Sequence, residues 1–362
     1  MSDIMEYKCP CCGGGIEFNS AIQKLKCPYC ETEYEISTLQ AYEEELSQDQ
    51  ADDMQLNADD AGEAWDETET ENLNVYVCKS CGGEIIGDGN TAADICPYCG
   101  NPVVMTGHVS GVLKPDCVLP FQLDKEAAKA ALSKHFEKKR LLPKSFKSQN
   151  HIDEIKGVYV PFWLFSADAD ARLRFRATKK RFWDDPQFTY TETSHYAVTR
   201  AGALSFVNVP ADGSSQMADD LMESLEPYDF SKAVDFHTAY LAGYLADKYD
   251  VTAKECVERI HERIRQSTER EFRDTVEGYA TVTTENSGIR IADGQVKYAL
   301  LPVWLLQTTW NGEHYLFAMN GQTGKFVGNL PMDKGLYHKS FALIASLTAL
   351  GVLALSFIGS ML

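Results

Sequence analysis

The feature that most constrains this chain is a repeated set of cysteine pairs near its N-terminus. In each set a Cys-x-x-Cys pair is followed, after fourteen intervening residues, by a second such pair. The surrounding letters agree as well, reading YKCPCCGG and KCPYC in the first set and YVCKSCGG and ICPYCG in the second. The first set is Cys9, Cys12, Cys27 and Cys30, and the second is Cys78, Cys81, Cys96 and Cys99. We therefore predict two copies of one four-cysteine unit.

The paired thiols indicate metal ligation rather than disulfide bonds. The turn within a Cys-x-x-Cys knuckle brings two sulfurs to one side of a metal ion, and two facing knuckles complete a closed tetrahedral shell. Gly13, Gly82 and Gly100 follow knuckles, where glycine adopts a backbone conformation that other residues resist. We expect two structural zinc ions, in ribbon 1 (1–36) and ribbon 2 (75–106). The first residues contain no apolar signal-peptide core, which favours a reducing cytosolic compartment.

Three further cysteines lie outside the repeat. Cys11 falls inside the first knuckle but breaks the register that Cys9 and Cys12 keep with the second set, so we expect it to be a bystander. Cys117 and Cys256 stand alone, and we predict no role for either.

The acidity of the chain is concentrated between the two ribbons. Residues 31–77 hold sixteen Asp and Glu and no Lys or Arg, whereas the whole chain has a net charge of −19. The remainder has 37 acidic and 34 basic residues, a balance that neither favours nor excludes anion binding. Because the acidic stretch is poor in branched apolar residues, we predict a flexible linker at 37–74 with a short helix near 38–52.

The rest of the chain, from residue 107 to 335, is predicted to be an α+β body. Asp124–Arg140 and Glu255–Phe272 carry apolar side chains at helical spacing, with charged residues on the remaining faces. Glu313–Met319 and Lys325–Val327 are predicted to form a hairpin around a glycine-rich turn.

A weaker duplication is visible within this body. The segments VYVPFWLF at 158–165 and ALLPVWLL at 299–306 share proline, tryptophan and leucine in register. If this match reflects a duplication, the body consists of two halves, 113–210 and 211–333, each with a helix and an antiparallel sheet. The alternative is two unrelated buried strands that both contain a proline.

The C-terminal segment is typical of a membrane span. Ser340–Leu362 contains 23 residues without a charge, enough for a helix of about 35 Å. Lys325, Lys334, His338 and Lys339 precede it and nothing charged follows, which favours a cytoplasmic location for the N-terminal part. A buried terminal helix of a soluble core is the alternative.

A basic stripe is predicted on one strand of the body. In the stretch RLRFRATKKR, alternation places Arg172, Arg174 and Arg176 on one face and Leu173 and Phe175 on the other. The stripe would bind the acidic linker, lipid phosphates or nucleic acid, or it is a solvated strand face. The candidate anion- or partner-binding residues are Arg172, Arg174, Arg176, Lys179, Lys180 and Arg181.

No catalytic residues are predicted. GQTGK at 321–325 has too few residues between its glycines for a Walker phosphate loop, and His261–Glu262 lacks a second histidine four residues on. An enzyme with a site in the body, using His195 or His151, is one alternative for the function.

With these features in view, the chain resembles bacterial membrane-associated proteins described as containing a transcription-factor-IIB-type zinc ribbon, frequent in Clostridia-like Gram-positive bacteria. The resemblance covers nearly the whole chain and implies metal-binding ribbons and membrane association, but no established activity. The matching segments are CPYCG at 96–100, EIKGVYVPFWLF at 154–165, TSHYAV at 193–198 and FAMNGQTGKFVGNLP at 317–331.

The function expected from these observations is that of a membrane-tethered, non-catalytic cytosolic adaptor that binds a protein partner. The alternative is nucleic-acid binding through the ribbons. Charge weakens that alternative, because ribbon 1 has only Lys8, Lys24 and Lys26 and ribbon 2 only Lys79 to contact phosphates.

Overall fold

The computed structural model describes residues 7–58, 61–88, 91, 93–143, 146 and 154–361, which have a mixed α+β fold. The described helices are α1 (Ile36–Ser47), α2 (Glu67–Thr70), α3 (Lys125–Glu137), α4 (Asp219–Glu223), α5 (Ala253–Asp274) and α6 (Lys334–Met361). The described strands are β1 (Glu17–Asn19), β2 (Lys24–Lys26), β3 (Glu33–Tyr34), β4 (Asp53–Met54), β5 (Leu73–Cys78), β6 (Glu84–Asp88), β7 (Val103–His108), β8 (Cys117–Val118), β9 (Lys156–Asp184), β10 (Thr189–Asp212), β11 (Val234–Asp235), β12 (Leu245–Asp247), β13 (Thr281–Trp310), β14 (Glu313–Asn320) and β15 (Phe326–Gly328).

The described residues form two compact units that do not follow the predicted domain boundaries. Strands β9 and β13 are 29 and 30 residues long, so each contributes residues to both units and no single cut separates them. The predicted halves of the body and the predicted linker are each divided between the units. Unit 1 lies within Met1–Asn57, Ser166–Val207 and Val257–Gln295, and unit 2 within Ala58–Phe165, Asn208–Cys256 and Val296–Leu362.

Unit 2 is built on a mixed sheet with the strand order β11-β8-β13-β9-β12-β6-β5-β7. Side chains alternate between the two faces of this sheet. In β13, Val303 and Leu305 belong to one core cluster, whereas Trp304 and Leu306 belong to a second cluster beneath α3. The predicted hairpin is also present, because β14 pairs antiparallel with both β13 and β15.

The two long amphipathic helices form where the sequence predicts them. In α3, Asp124 occupies the N-cap position and its side chain accepts a hydrogen bond from Ala127 N (2.8 Å). In α5, Ile260, Ile264 and Thr268 are buried at intervals of one helical turn.

The match between the segments at 158–165 and 299–306 corresponds to a structural repeat in unit 2. In β9, Pro161 O accepts a hydrogen bond from Gly213 N (2.9 Å), just after β10. At the matching position of β13, Pro302 O accepts a hydrogen bond from Gly321 N (2.8 Å), just after β14. Each repeat therefore closes its hairpin with the same proline-to-glycine contact.

The short strand of each repeat pairs with the long strand of the other repeat. Trp163 Nε1 in β9 donates to Val251 O, between β12 and α5, and Trp304 Nε1 in β13 donates to Leu123 O, between β8 and α3. Likewise β12 pairs parallel with β9, and β8 pairs parallel with β13. The antiparallel pairing predicted within the halves is present where β14 pairs with β13 and β15, but the sheet as a whole is mixed. The sheet is mixed because each short strand pairs with the long strand of the other repeat, and no tight turn joins them.

In unit 1 the acidic segment has regular structure. It contains α1, close to the predicted helix, and the short strand β4, which pairs parallel with Arg290 and Ile291 of β13. Asp52 Oδ1 accepts a hydrogen bond from Ile289 N (2.8 Å) next to this pairing. The part of the predicted linker that belongs to unit 1 is therefore held by backbone and side-chain bonds.

The C-terminal helix α6 begins earlier than the predicted span. Leu336 N donates to Asp333 Oδ1 (2.9 Å), which caps its first turn. The segment Lys334–Leu353 is long and apolar enough to cross a membrane, and none of it is buried within the protein.

Candidate metal centres

The first cysteine set is shaped by two knuckles with the same backbone hydrogen bonds. Cys9 N donates to Gly14 O (2.7 Å) and Gly13 N donates back to Cys9 O (2.8 Å). The second knuckle repeats this pattern around Cys27, whose N donates to Thr32 O (3.0 Å). These turns place two sulfurs of each pair on the same side, facing the other pair.

The second cysteine set has equivalent bonds. Cys78 N donates to Gly83 O (2.9 Å), and Cys96 N donates to Asn101 O (2.8 Å). Gly82 and Gly100 have φ values of 79° and 73°, in the left-handed region that glycine adopts at little cost. The predicted duplication of the ribbons is therefore present at the level of individual hydrogen bonds.

The sulfur positions fit a tetrahedral metal ion in both ribbons. A tetrahedral thiolate shell with metal–sulfur bonds of about 2.3 Å separates its sulfurs by about 3.8 Å. The nearest Sγ–Sγ distances are 3.5 Å in ribbon 1 and 3.4 Å in ribbon 2, and the four sulfurs of each set all lie within 4.8 Å of one another. Both four-cysteine sets can thus hold a metal ion through the residues that the sequence predicts.

The remaining cysteines lie outside both sets. Tyr34 hydroxyl is 3.1 Å from Cys11 Sγ and 3.1 Å from Cys9 Sγ, so Cys11 lies beside the first centre without joining its sulfur cluster. Burial raises the pKa of Cys117 to about 11, which keeps that thiol protonated and unreactive at neutral pH. Cys256 is buried against Asp212 O (3.5 Å).

The surroundings of the two ribbons differ although their centres match. Ribbon 1 has its own three-stranded sheet of β1, β2 and β3. In ribbon 2, β5, β6 and β7 belong to the large sheet of unit 2, and Lys156 Nζ of β9 donates to Ile95 O (2.7 Å). The tyrosine of each CPYC sequence differs accordingly in exposure: Tyr29 is 77% exposed and Tyr98 only 7%.

Tyr98 extends into a buried polar cluster that the sequence did not predict. Ser214 Oγ donates a hydrogen bond to Asp247 Oδ2, and both residues are buried in unit 2. Burial raises the pKa of Asp247 to about 7, although the nearby Tyr98 phenol lowers it in part. Tyr98 hydroxyl and Asp247 Oδ1 are both buried, and neither has a hydrogen-bond partner of normal geometry among the described residues. The ring of Tyr98 in ribbon 2 is thus buried near a carboxyl group whose pKa is raised to about 7.

The basic stripe lies against carboxylates of the chain itself. Arg172 pairs with Glu45 of α1 (2.8 Å), and Arg174, only 7% exposed, pairs with Asp49. Three binding partners were predicted for the stripe: the acidic segment, lipid phosphates and nucleic acid. Of these, the acidic segment is the one that contacts it among the described residues. The aromatic ring of Tyr42 in α1 also lies under the guanidinium of Arg174, 5.7 Å from ring centroid to Cζ.

A partner of the stripe that the sequence did not reveal is Glu285 in β13. Its carboxylate accepts from Arg176 Nε (2.6 Å) and lies 3.4 Å from Arg174 Nε. Because Glu285 is more than a hundred residues away in sequence, only the pairing of strands brings it near.

The other basic candidates lie further along β9. Lys179 Nζ is 5.4 Å and 4.9 Å from the ring centroids of Tyr196 and Tyr279, and Arg181 lies over Trp183. Lys180 is exposed. By strand alternation Lys180 continues the face of Arg172, Arg174 and Arg176, whereas Lys179 and Arg181 lie on the opposite face of β9.

The histidines named for the enzyme alternative form no cluster that the structure describes. His195 is exposed on β10, and His151 lies outside the described residues. Among the described residues, the two cysteine sets are the groups of His, Cys, Asp and Glu whose ligand atoms converge as a metal site requires.

Comparison with known proteins identifies the family of this chain. No protein-family model matches it, and no solved structure matches it significantly. The chain is similar to "Uncharacterized protein YdjG" of Bacillus subtilis (strain 168), with 36% identity over 235 residues. The match covers 65% of this chain and 69% of YdjG. This chain therefore belongs to the same protein family as YdjG.

Proposed function

We propose that this chain is a membrane-tethered cytosolic adaptor in which ribbon 1 binds a protein partner. The observation that carries the proposal is the exposure of Tyr29, at a position where the copy in ribbon 2 uses Tyr98 to dock onto unit 2. Phe18 and Ile22 of ribbon 1 are exposed as well. Several exposed large apolar side chains on one small module are typical of a protein-binding surface.

The proposal includes structural zinc in both ribbons and assigns them to the transcription-factor-IIB type. Four thiolates form the soft, closed shell that suits zinc, and such a shell leaves no position for a substrate. A ribbon of about 30 residues buries too little apolar surface to fold alone, so metal binding supplies much of its stability.

The proposal also assigns α6 to the membrane, with the rest of the chain in the cytoplasm. The apolar side chains of Lys334–Leu353 are exposed, which is costly in water and favourable in a bilayer. Lys334 and Lys339 lie at the start of this helix, where the positive-inside tendency places the cytoplasmic side.

Nucleic-acid binding is the less favoured function. The arginines best placed to contact phosphates, Arg172 and Arg174, already pair with Glu45 and Asp49. A nucleic acid would have to displace these tethered carboxylates, which compete at high effective concentration.

The test is site-specific photo-crosslinking in intact cells. The photoreactive residue p-benzoylphenylalanine replaces Tyr29 in the full-length chain, where its ring occupies the exposed position. We expect a discrete protein adduct after irradiation, identified by mass spectrometry.

The matched control places the same photoreactive residue at Ile95, an exposed apolar position of ribbon 2. The proposal predicts an adduct from position 29 that is absent or much weaker from position 95. Equal adducts from both positions, or none from position 29, would contradict it.

A further inference from the structure

The tip of the β9–β10 hairpin, residues 179–190, carries a cluster of exposed aromatic side chains in unit 1. Phe182 and Phe188 are 65% and 61% exposed, and Trp183 and Tyr190 are also exposed. Four large rings grouped at the end of a hairpin form an apolar patch of the kind that marks an interaction site.

The rings are held in place by the turn that joins the strands. Asp185 Oδ1 accepts hydrogen bonds from Gln187 N (2.8 Å) and Phe188 N (2.7 Å), and Tyr190 hydroxyl donates to Asp185 Oδ2 (2.8 Å). Tyr190 stacks on Trp183 with centroids 5.5 Å apart and an interplanar angle of 9°. The patch is therefore pre-organised, which lowers the entropy lost when it binds.

Basic side chains lie directly behind these rings. Lys179, Lys180 and Arg181 are exposed, and the guanidinium of Arg181 lies 5.5 Å from the centroid of Trp183. Three hydrogen bonds to its carboxylate lower the pKa of Asp185. This acid therefore stabilises the turn. Residues 179–190 hold three basic side chains and two acidic ones, Asp184 and Asp185. An aromatic end with an excess of basic residues is complementary to the headgroup region of an anionic bilayer, where Trp and Tyr collect and basic residues meet lipid phosphates.

We propose that the hairpin tip inserts its aromatic side chains into the interface of an anionic lipid bilayer. The inference rests on the proposed membrane location of the chain, because α6 would keep the tip at high local concentration near such a surface. Aromatic and basic side chains also bind single-stranded nucleic acid by stacking. The bilayer is favoured because both phenylalanines lack a polar edge and the same chain carries a helix able to cross a membrane.

The test uses the intrinsic fluorescence of Trp183 in the full-length chain. The chain is reconstituted into nanodiscs of phosphatidylcholine and phosphatidylglycerol, with or without brominated acyl chains that quench nearby tryptophan. Subtracting the spectrum of Trp183→Phe isolates the contribution of Trp183 from the other four tryptophans. We expect this contribution to be quenched by the brominated lipid, and quenching to be lost in the double variant Phe182→Ser and Phe188→Ser.

The matched control is Trp310→Phe, which removes a partly buried tryptophan of unit 2 and should leave the quenching of Trp183 unchanged. A Trp183 contribution that is equal in brominated and ordinary lipid overturns the inference. So does quenching by a single-stranded oligonucleotide but not by brominated lipid, which would assign the tip to nucleic acid.

Failure of the anchor gives a different result, because the double phenylalanine variant would then not co-elute with nanodiscs. Co-sedimentation with anionic vesicles decides the role of the tip in that case. Binding that is lost in the double phenylalanine variant supports the inference, and no binding overturns it.

Discussion

The two ribbons have the same metal centre but different neighbours. Their cysteine spacing and knuckle hydrogen bonds agree, yet ribbon 2 shares its strands with the large sheet of unit 2 and ribbon 1 has a sheet of its own. An added Cβ at Gly100 would lie 2.5 Å from Gln307 Oε1, whereas one at Gly13 would meet nothing within 4 Å. The comparison shows that the two centres match, while the packing around them makes ribbon 2 part of the large sheet and leaves Tyr29 of ribbon 1 exposed.

The largest expected effect comes from removing one ligand of each centre. We expect Cys96→Ser to abolish metal binding in ribbon 2 and to speed hydrogen exchange throughout β5, β6 and β7, because metal binding contributes roughly 10–16 kcal/mol to such ribbons. We expect Cys27→Ser to affect exchange only in ribbon 1. Hydrogen exchange of the full-length chain in detergent, with metal counted by mass spectrometry, checks both. If the region of faster hydrogen exchange extended equally far beyond the altered ribbon in both variants, the proposed difference between the ribbons would be wrong.

The matched tyrosines give the next largest difference. Tyr98→Ala removes a buried ring and should destabilise unit 2 by about 3–5 kcal/mol. Tyr29→Ala removes an exposed ring and should change stability by no more than about 0.5 kcal/mol. Thermal unfolding of the two variants in detergent measures the contrast, and Tyr98→Phe separates the ring from its hydroxyl. Similar losses at both positions would show that ribbon 1 also packs against the protein.

The carboxyl group of Asp247 beside Tyr98 predicts a pH dependence in the stability of unit 2, to which ribbon 2 belongs. The pKa of Asp247 rises from its usual 3.8 to about 7 in the folded protein, so the folded state holds this proton more tightly. Its contribution to stability is therefore present below about pH 4 and is lost as the pH rises towards 7. The amide of the Asp247→Asn variant cannot ionise. Between pH 5 and pH 8 the free energy of unfolding of this variant should therefore rise by roughly 2 kcal/mol relative to that of the wild type. Parallel unfolding curves for the two proteins across this range would refute the assignment.

The smallest effect concerns the second knuckle of ribbon 1. Glu31 has a φ of 60° at the position where Gly13, Gly82 and Gly100 follow the other knuckles. Glu31→Gly relieves this backbone strain but increases the conformational entropy of the unfolded chain. We therefore expect the stability of ribbon 1 to rise by about 0.5 kcal/mol. The opposite change, Gly13→Ala, should cost about 1 kcal/mol through backbone strain alone. Metal affinity of ribbon 1, measured by chelator competition, should rise in the first variant and fall in the second.

The sequence predicts the metal ligands well because knuckle geometry is local. Four residues determine each turn, and the spacing repeats between the ribbons. Helices α3 and α5 were predictable for the same reason, since their apolar periodicity is contained in the helix itself. The C-terminal helix was evident from its apolar run.

What the sequence could not predict depends on contacts between distant segments. The letters CPYC are identical in both ribbons, so nothing local distinguishes the buried Tyr98 from the exposed Tyr29. Asp247 and Glu285 reach their partners only after the long strands pair. The pairing of each short strand with the long strand of the other repeat is likewise a tertiary event, and it makes the sheet as a whole mixed.

The most direct test of the central claim is to purify the full-length chain and its Tyr29→Ser variant from native membranes in mild detergent, counting zinc and bound proteins together. The account predicts two zinc ions per chain in both preparations and a stoichiometric protein partner that is lost only from the variant. A partner retained equally by both chains, or fewer than two zinc ions per wild-type chain, would contradict it.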